Sequence, residues 1–144
     1  MKGLIQEWVT QQAEQRPEAI ALVLGQRRMS YAELDRRSSQ LAQLLRSNGC
    51  RRGDRVCFLM PKSPAAIVTM IGILKADCMH VPIDPSGPVP RIARILDACE
   101  NRWLLAAGGV SGLLNELLKD ERIQQRLAIG IAERFADAAH GDGR

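Results

Sequence analysis

Aromatic side chains are scarce in this sequence: only 3% of its 144 residues are Phe, Trp or Tyr. A core must therefore be assembled from Leu, Ile, Val, Ala and Met, and binding by stacking on an aromatic surface is disfavoured. Long apolar runs are missing too. No stretch reaches the roughly 20 residues that a membrane span needs, and Met1-Lys2-Gly3 leads into no signal-peptide core. The expected compartment is the cytoplasm, with no membrane partner. The four cysteines, Cys50, Cys57, Cys78 and Cys99, include no C-x-x-C pair and are widely spaced. They read as reduced, buried small hydrophobes, not as metal ligands or a disulfide framework. His80 and His140 stand far from any plausible ligand set, so no metal site is expected.

What is present is ordinary for a soluble globular chain. The hydrophobic fraction is 46% and the charged fraction 25%, and a single domain of this length buries about two-thirds of its unfolded surface. The net charge of +4 comes mostly from arginine. Arg16, Arg27, Arg28, Arg36, Arg37, Arg46, Arg51, Arg52 and Arg55 crowd the first part of the chain. Such a cluster raises the idea of a nucleic-acid patch. No aromatics interleave with it, however, and the arginines fall on turns and on the polar sides of helices. Solvated surface is the reading adopted, with no nucleic-acid partner.

Local pattern sets out the elements. Leu4, Ile5, Trp8 and Val9 share one side of a helix that stops at Arg16-Pro17, since a residue before proline resists the helical well. Ala19–Leu24 reads as a strand, turned by Gly25-Gln26 onto Arg27-Arg28-Met29. Ser30 and Glu33 form a capping box, with Met29 and Leu34 as a hydrophobic staple. The helix they open has Leu34, Leu41, Leu44 and Leu45 on its apolar face and ends in a left-handed cap at Asn48-Gly49. Arg52-Gly53-Asp54 turns into a buried strand, Arg55–Met60. Ser63 and Pro64 then start a mostly apolar helix carrying Ile67, Val68, Met70, Ile71 and Leu74.

Leu74–Ser86, LKADCMHVPIDPS, is a helix end, an extended run through Cys78–Ile83 and a turn at Asp84-Pro85. Pro88-Val89-Pro90 opens a further helix with Ile92, Ile95, Leu96 and Cys99 inward and Arg91 and Arg94 outward. Trp103–Ala107 is the next strand. Leu113, Leu114, Leu117 and Leu118 mark a helix, and Leu127–Ile131 a further strand. From Glu133 to Arg144 the pattern is weak, and a frayed end is expected. Strands alternating with helices from Arg55 onward predict an α/β layered fold with a parallel sheet and flanking helices.

Several of these pieces together resemble the adenylate-forming enzymes, which comprise peptide-synthetase adenylation domains and acyl-CoA ligases. The pieces are MSYAEL at 29–34, the Gly53-Asp54 turn with its apolar strand, LKADCMHVPIDPS at 74–86, and PS-x-P-x-x-R at 85–91. They stand in the family's order and cover roughly residues 1–107. The resemblance implies part of the large N-terminal domain of such enzymes, with residues 1–131 as a partial subdomain, and the weak pattern leaves 132–144 as a weakly ordered tail. It also implies ATP-dependent activation of a carboxylic acid as an acyl-adenylate, with transfer to the thiol of CoA or a carrier protein. ATP and Mg²⁺ are the implied cofactors.

The same resemblance places the family's Ser/Thr/Gly-rich phosphate loop and C-terminal lysine domain beyond Arg144, so this piece is expected to be inactive alone. No residue acquires a catalytic, cofactor-binding or metal-binding role by matching. Gly108-Gly109-Val110-Ser111-Gly112 is the nearest thing to a phosphate loop, but it lacks the lysine, the hydroxyl run and the Walker spacing. It reads as a strand-to-helix turn. Asp77 stands where the family has glycine, and His80 where it has an aromatic, typically tyrosine. Lys75 is expected to complement its helix dipole in solvent, and Asp84 to brace the turn before Pro85. A second function class is a non-catalytic interaction module or a subunit of a split ligase. Its partners would be the rest of the ligase, a carrier protein or a second copy.

Overall fold

The computed structural model describes residues 3–99 and 102–131. The first helix, α1 (Ile5–Gln15), stops one residue before Arg16, whose backbone leaves the helical well ahead of Pro17. Its apolar stripe is not turned inward. Leu4, Ile5 and Trp8 are 56%, 54% and 49% exposed, and of that stripe Val9 packs on the cluster of Met29, Leu34 and Val68. Strands β1 (Ile20–Leu24) and β2 (Arg27–Ser30) form an antiparallel hairpin. Gly25 opens its two-residue turn at a φ of +60°, a conformation that glycine adopts without steric cost.

In α2 (Tyr31–Ser47) the Ser30 hydroxyl accepts the Glu33 amide at 3.2 Å, and Met29 and Leu34 are buried in one cluster, as the staple requires. The other half of the expected capping box is used differently. The Glu33 carboxylate takes Arg37 Nη2 at 2.6 Å, and Arg37, read from sequence as solvated, is buried at 4% exposure. Leu44 also departs from expectation: it is 46% exposed, and Ala42 fills the inward position beside Leu41 and Leu45. The end of α2 is a Schellman motif. Gly49, at a φ of +95°, donates to Arg46 O at 3.1 Å, and Cys50 donates to Leu45 O at 3.0 Å.

Strand β3 (Arg55–Leu59), helix α3 (Pro64–Lys75) and edge strand β4 (Met79–Ile83) follow. Ser63 caps α3 by accepting the Ala66 amide at 3.2 Å. Pro82 is tolerated in β4 because the strand lies at the sheet edge. Helix α4 (Val89–Ala98), strand β5 (Trp103–Ala106), short helices α5 (Ser111–Leu117) and α6 (Glu121–Arg126), and strand β6 (Ala128–Ile131) complete the described chain. The expected frayed segment, 132–144, lies outside the described residues, as does His140.

The main sheet has the order β4-β3-β5-β6, and its three pairings are all parallel. Period-two alternation sorts its side chains between two cores. Val56, Phe58, Trp103 and Leu105 meet Leu41, Leu45 and Ile73 from α2 and α3 on one face. Cys57, Leu59, Leu104 and Ala106 meet Ile92, Leu96, Leu117 and Ile123 from α4, α5 and α6 on the other. Each fully buried leucine among these contributes about 2 kcal/mol. With helices on both faces the sheet is the α/β layered fold that the alternation predicts.

Candidate functional site

In an open parallel sheet, ligands are met beyond the carboxyl ends of the strands, where the direction of winding reverses. Here that point lies between β3 and β5. From β3 the chain runs through α3 on one face to β4; from β5 it continues on the opposite face toward β6. Three loops gather at this end: Met60–Ser63 after β3, Asp84–Gly87 after β4 and Ala107–Val110 after β5.

The loop after β5 carries the glycine pair. Gly108 and Gly109 have φ values of +77° and +74°. A Cβ on Gly108 would sit 2.8 Å from Pro61 Cδ, whereas a Cβ on Gly109 would meet nothing within 4 Å. Gly108 is thus a glycine because the two loops touch at the switch point. The α5 start has no side-chain cap, since Val110 stands at the N-cap position. The arrangement is a packed strand-to-helix turn. The loop after β4 is braced by Asp84, whose Oδ1 accepts the Ser86 amide at 2.9 Å and the Ser86 hydroxyl at 2.7 Å. Those bonds, helped by nearby Lys62 and Arg91, hold the exposed Asp84 carboxyl below the usual carboxylate range. Lys62 and Arg91 make this rim cationic.

A triphosphate with its magnesium needs several oxygen ligands and a hydroxyl- or amide-lined cradle. The described residues do not fit that demand. No group of three or more His, Cys, Asp or Glu gathers among them, and the space a Cβ of Gly108 would take is occupied by Pro61. Shallow depressions lie along α4, one beside Arg94, Asp97 and Arg122 and one running from Pro88 and Arg91 to Ala98. No described helix is long and apolar enough to cross a membrane.

The other residues singled out from sequence scatter. His80 is exposed on β4 with its ring 6.5 Å from that of Phe58. Lys75 is not in solvent at the end of α3. Its side chain is 11% exposed, and Nζ reaches Asp35 Oδ1 at 2.6 Å, Asp35 O at 3.0 Å and Ser39 Oγ at 2.9 Å. A helix-end lysine is usually solvated; here the neighbouring helix supplies a carboxylate within reach. Arg46 donates to the Lys75 carbonyl, and Arg55 to Cys99 O at 3.3 Å, so these two arginines serve the protein's own backbone. The cysteines divide between the cores. Cys50 and Cys78 lie in one, Cys57 and Cys99 in the other, and the sulfurs of Cys50 and Cys78 are 3.3 Å apart. Their separation in sequence concealed that approach.

Asp77 explains its own departure from the family pattern. It is the one non-glycine described residue with positive φ, at 59°, and it ends α3 as Gly49 ends α2. Its amide bonds Leu74 O at 3.0 Å, and that of Cys78 bonds Ile73 O at 3.1 Å. An L-residue in this well costs about 1 kcal/mol relative to glycine. Asp77→Gly is therefore expected to raise stability by about 1 kcal/mol and Tm by about 3 °C, read by thermal melting. A fall in Tm would mean that the carboxylate contributes more than the strain costs.

Comparison with known proteins agrees with the fold. The family described as AMP-binding enzyme matches residues 9–141. Bacitracin synthase 3 of Bacillus licheniformis is 40% identical over 104 residues, 72% of this chain and 2% of that protein. Tyrocidine synthase 2 of Brevibacillus parabrevis is 43% identical over 90 residues, 62% of this chain and 2% of that protein. The chain thus spans only a small fraction of the curated relatives it matches. Among solved structures, the nonribosomal peptide synthetase FmoA3, in its alpha-methyl-L-serine-AMP bound form, superposes with a TM-score of 0.79 at 32% identity. That match covers 91% of this chain and 14% of FmoA3. The inhibitor-bound N-terminal domain of FACL13 from Mycobacterium tuberculosis gives a TM-score of 0.83 at 23% identity. It covers 99% of this chain and 36% of the other, a likeness of fold alone.

Proposed function

Since the chain belongs to the AMP-binding enzyme family, we propose that it is a scaffold piece of an ATP-dependent carboxylic acid ligase. The parent reaction is formation of an acyl-adenylate followed by transfer to a thiol of CoA or a carrier protein. In this reading the 144 residues supply the parallel sheet and its strand-end loops, and they form no adenylate by themselves. The observation that carries the second part is the strand-end rim. Its glycine turn is packed against Pro61, and among the described residues neither a lysine-ended hydroxyl loop nor a carboxylate cluster stands beside it.

ATP–pyrophosphate exchange tests this. The purified chain, with magnesium and a panel of amino, aryl and fatty acids, is expected to give exchange at the blank level while melting cooperatively. Exchange above the blank would place the phosphate-handling groups inside these residues and overturn the inert-scaffold reading.

A second reading, an interaction module, is favoured by one specific feature. Leu4, Ile5 and Trp8 at the start of the chain, and Ile20, Val23 and Leu24 on β1, are exposed. Apolar side chains left in solvent on two elements offer a partner surface to bury. The occupant would be the rest of a ligase, a carrier protein or a second copy. Concentration-dependent sedimentation that ATP leaves unchanged, and that Trp8→Glu abolishes, would support it.

A further inference from the structure

The chain makes one turn twice. Helix α2 ends with Gly49 in the left-handed well followed by Cys50, and α3 ends with Asp77 in that well followed by Cys78. In each case the cysteine amide closes a Schellman motif, to Leu45 O at 3.0 Å and to Ile73 O at 3.1 Å. The strands that follow, β3 and β4, are parallel neighbours, and α2 and α3 line the same face of the sheet. Equivalent positions of two equivalent units are therefore brought together. Both thiols are buried, with Sγ to Sγ at 3.3 Å and Cys78 Sγ also 3.3 Å from Arg51 O.

We propose that Cys50 and Cys78 are a disulfide-forming pair, a thiol–disulfide modification site that ties the α2–β3 turn to the α3–β4 turn. A disulfide places its sulfurs about 2.05 Å apart, so bond formation requires an approach of roughly 1.2 Å from the present 3.3 Å. Side-chain torsion at two cysteines supplies a movement of that size. Cys57 and Cys99 belong to the core on the opposite face, so a bond from Cys50 or Cys78 to either would have to cross the sheet.

The co-reactant is a low-molecular-weight disulfide such as oxidised glutathione. One protein thiolate attacks it, one glutathione leaves as thiolate, and a mixed disulfide forms. The second protein thiolate then attacks the protein sulfur of that bond and displaces the second glutathione. Two protein thiols are oxidised, two glutathiones are formed, and the two protons released by the protein end on them. Burial, with the hydrogen bond to Cys78 adding to it, pushes the Cys50 thiol up to about 12. Burial raises Cys78 as well. Both sulfurs are protonated at neutral pH, so exchange proceeds through rare open states, and the site equilibrates slowly.

The full chain, equilibrated in a glutathione redox buffer, alkylated and digested, tests the pair by mass spectrometry. The expected product joins the peptides of Cys50 and Cys78, about 2 Da lighter than the dithiol, with Cys57 and Cys99 alkylated. Its Tm is expected to rise on the order of 5–10 °C and to return on adding dithiothreitol, because the bond closes a loop of some 28 residues. Cys50→Ala and Cys78→Ala should each abolish the product, and Cys57→Ala should not. Persistent thiols in strongly oxidising buffer, glutathione adducts without the cross-link, or a bond to Cys57 or Cys99 would each overturn the proposal. So would a Tm that falls on oxidation.

Discussion

A single methyl group added at Gly72 is expected to destabilise the protein on the order of 2 kcal/mol, even though alanine is the better helix former by about 1 kcal/mol. The new Cβ would lie 2.9 Å from Leu41 Cδ2, 3.0 Å from Leu41 Cβ and 3.0 Å from Ser38 O. Leu41 and Ser38 are fully buried on α2, and the Ser38 carbonyl belongs to the backbone of that helix. It cannot rotate away as a side-chain tip can. To admit the methyl, α3 must move off α2, opening the seam that carries Leu41, Leu45 and Ile73 onto the sheet. Gly112→Ala is the matching control. Its Cβ would meet nothing within 4 Å and its φ is not positive, so the same substitution is expected to stabilise by about 0.5 kcal/mol. Urea unfolding of both variants, with the slope unchanged, reads the two signs directly. A stabilised Gly72→Ala protein would mean that α2 and α3 yield to each other.

Where an element is decided by its own few residues, the sequence was enough. The Ser30 and Ser63 caps, the stop before Pro17, the Asn48-Gly49 ending and the β1–β2 turn are all short-range chemistry, and each stands where it was expected. The alternation of Val56, Cys57, Phe58 and Leu59 between two cores likewise follows from period two. What escaped was decided across distance. Leu44 looked like a core residue on periodicity, yet it lies on the open side of α2, 46% exposed. Gly72 carried no local signal beyond being a glycine inside an apolar helix, where a close neighbour is the usual reason.

Cys50 and Cys78 each read correctly as a buried thiol, but only the packing of one helix–turn–strand unit on the next joins them. The turn at Asp84-Pro85 was legible as the end of a strand. Asp77 and His80 were found as departures from a family pattern, but the meaning of Asp77 needed its φ of 59°. Lys75 was misread because the residue that holds it lies forty positions earlier.

That lysine carries the second large effect. Lys75→Met keeps the aliphatic stem and removes the ammonium, and it is expected to cost about 2 kcal/mol and to lower Tm by about 6 °C. The magnitude follows from where the pair sits. An exposed ion pair contributes about 0–1 kcal/mol, and breaking a fully buried one costs about 3–5 kcal/mol. Lys75 and Asp35, at 11% and 28% exposure, lie between those limits. The pair is also a junction. Asp35 Oδ1 accepts Thr10 Oγ1 from α1 at 2.8 Å and Lys75 Nζ from α3 at 2.6 Å, while Ser39 on α2 accepts the same ammonium. Three helices meet there, and α1 buries no residue fully, so polar contacts carry much of its attachment.

Two consequences separate this from an ordinary surface pair. A double-mutant cycle of Lys75→Met with Asp35→Asn should show coupling of about 1–2 kcal/mol, persisting in molar salt where an exposed pair would fade. Thr10→Val alone should cost about 1 kcal/mol and should raise hydrogen exchange in α1 more than in α3. Additive single losses would show that Lys75 acts by its stem alone. An increase in exchange no larger in α1 than in α3 would mean that Val9 and its apolar neighbours hold the helix without the junction.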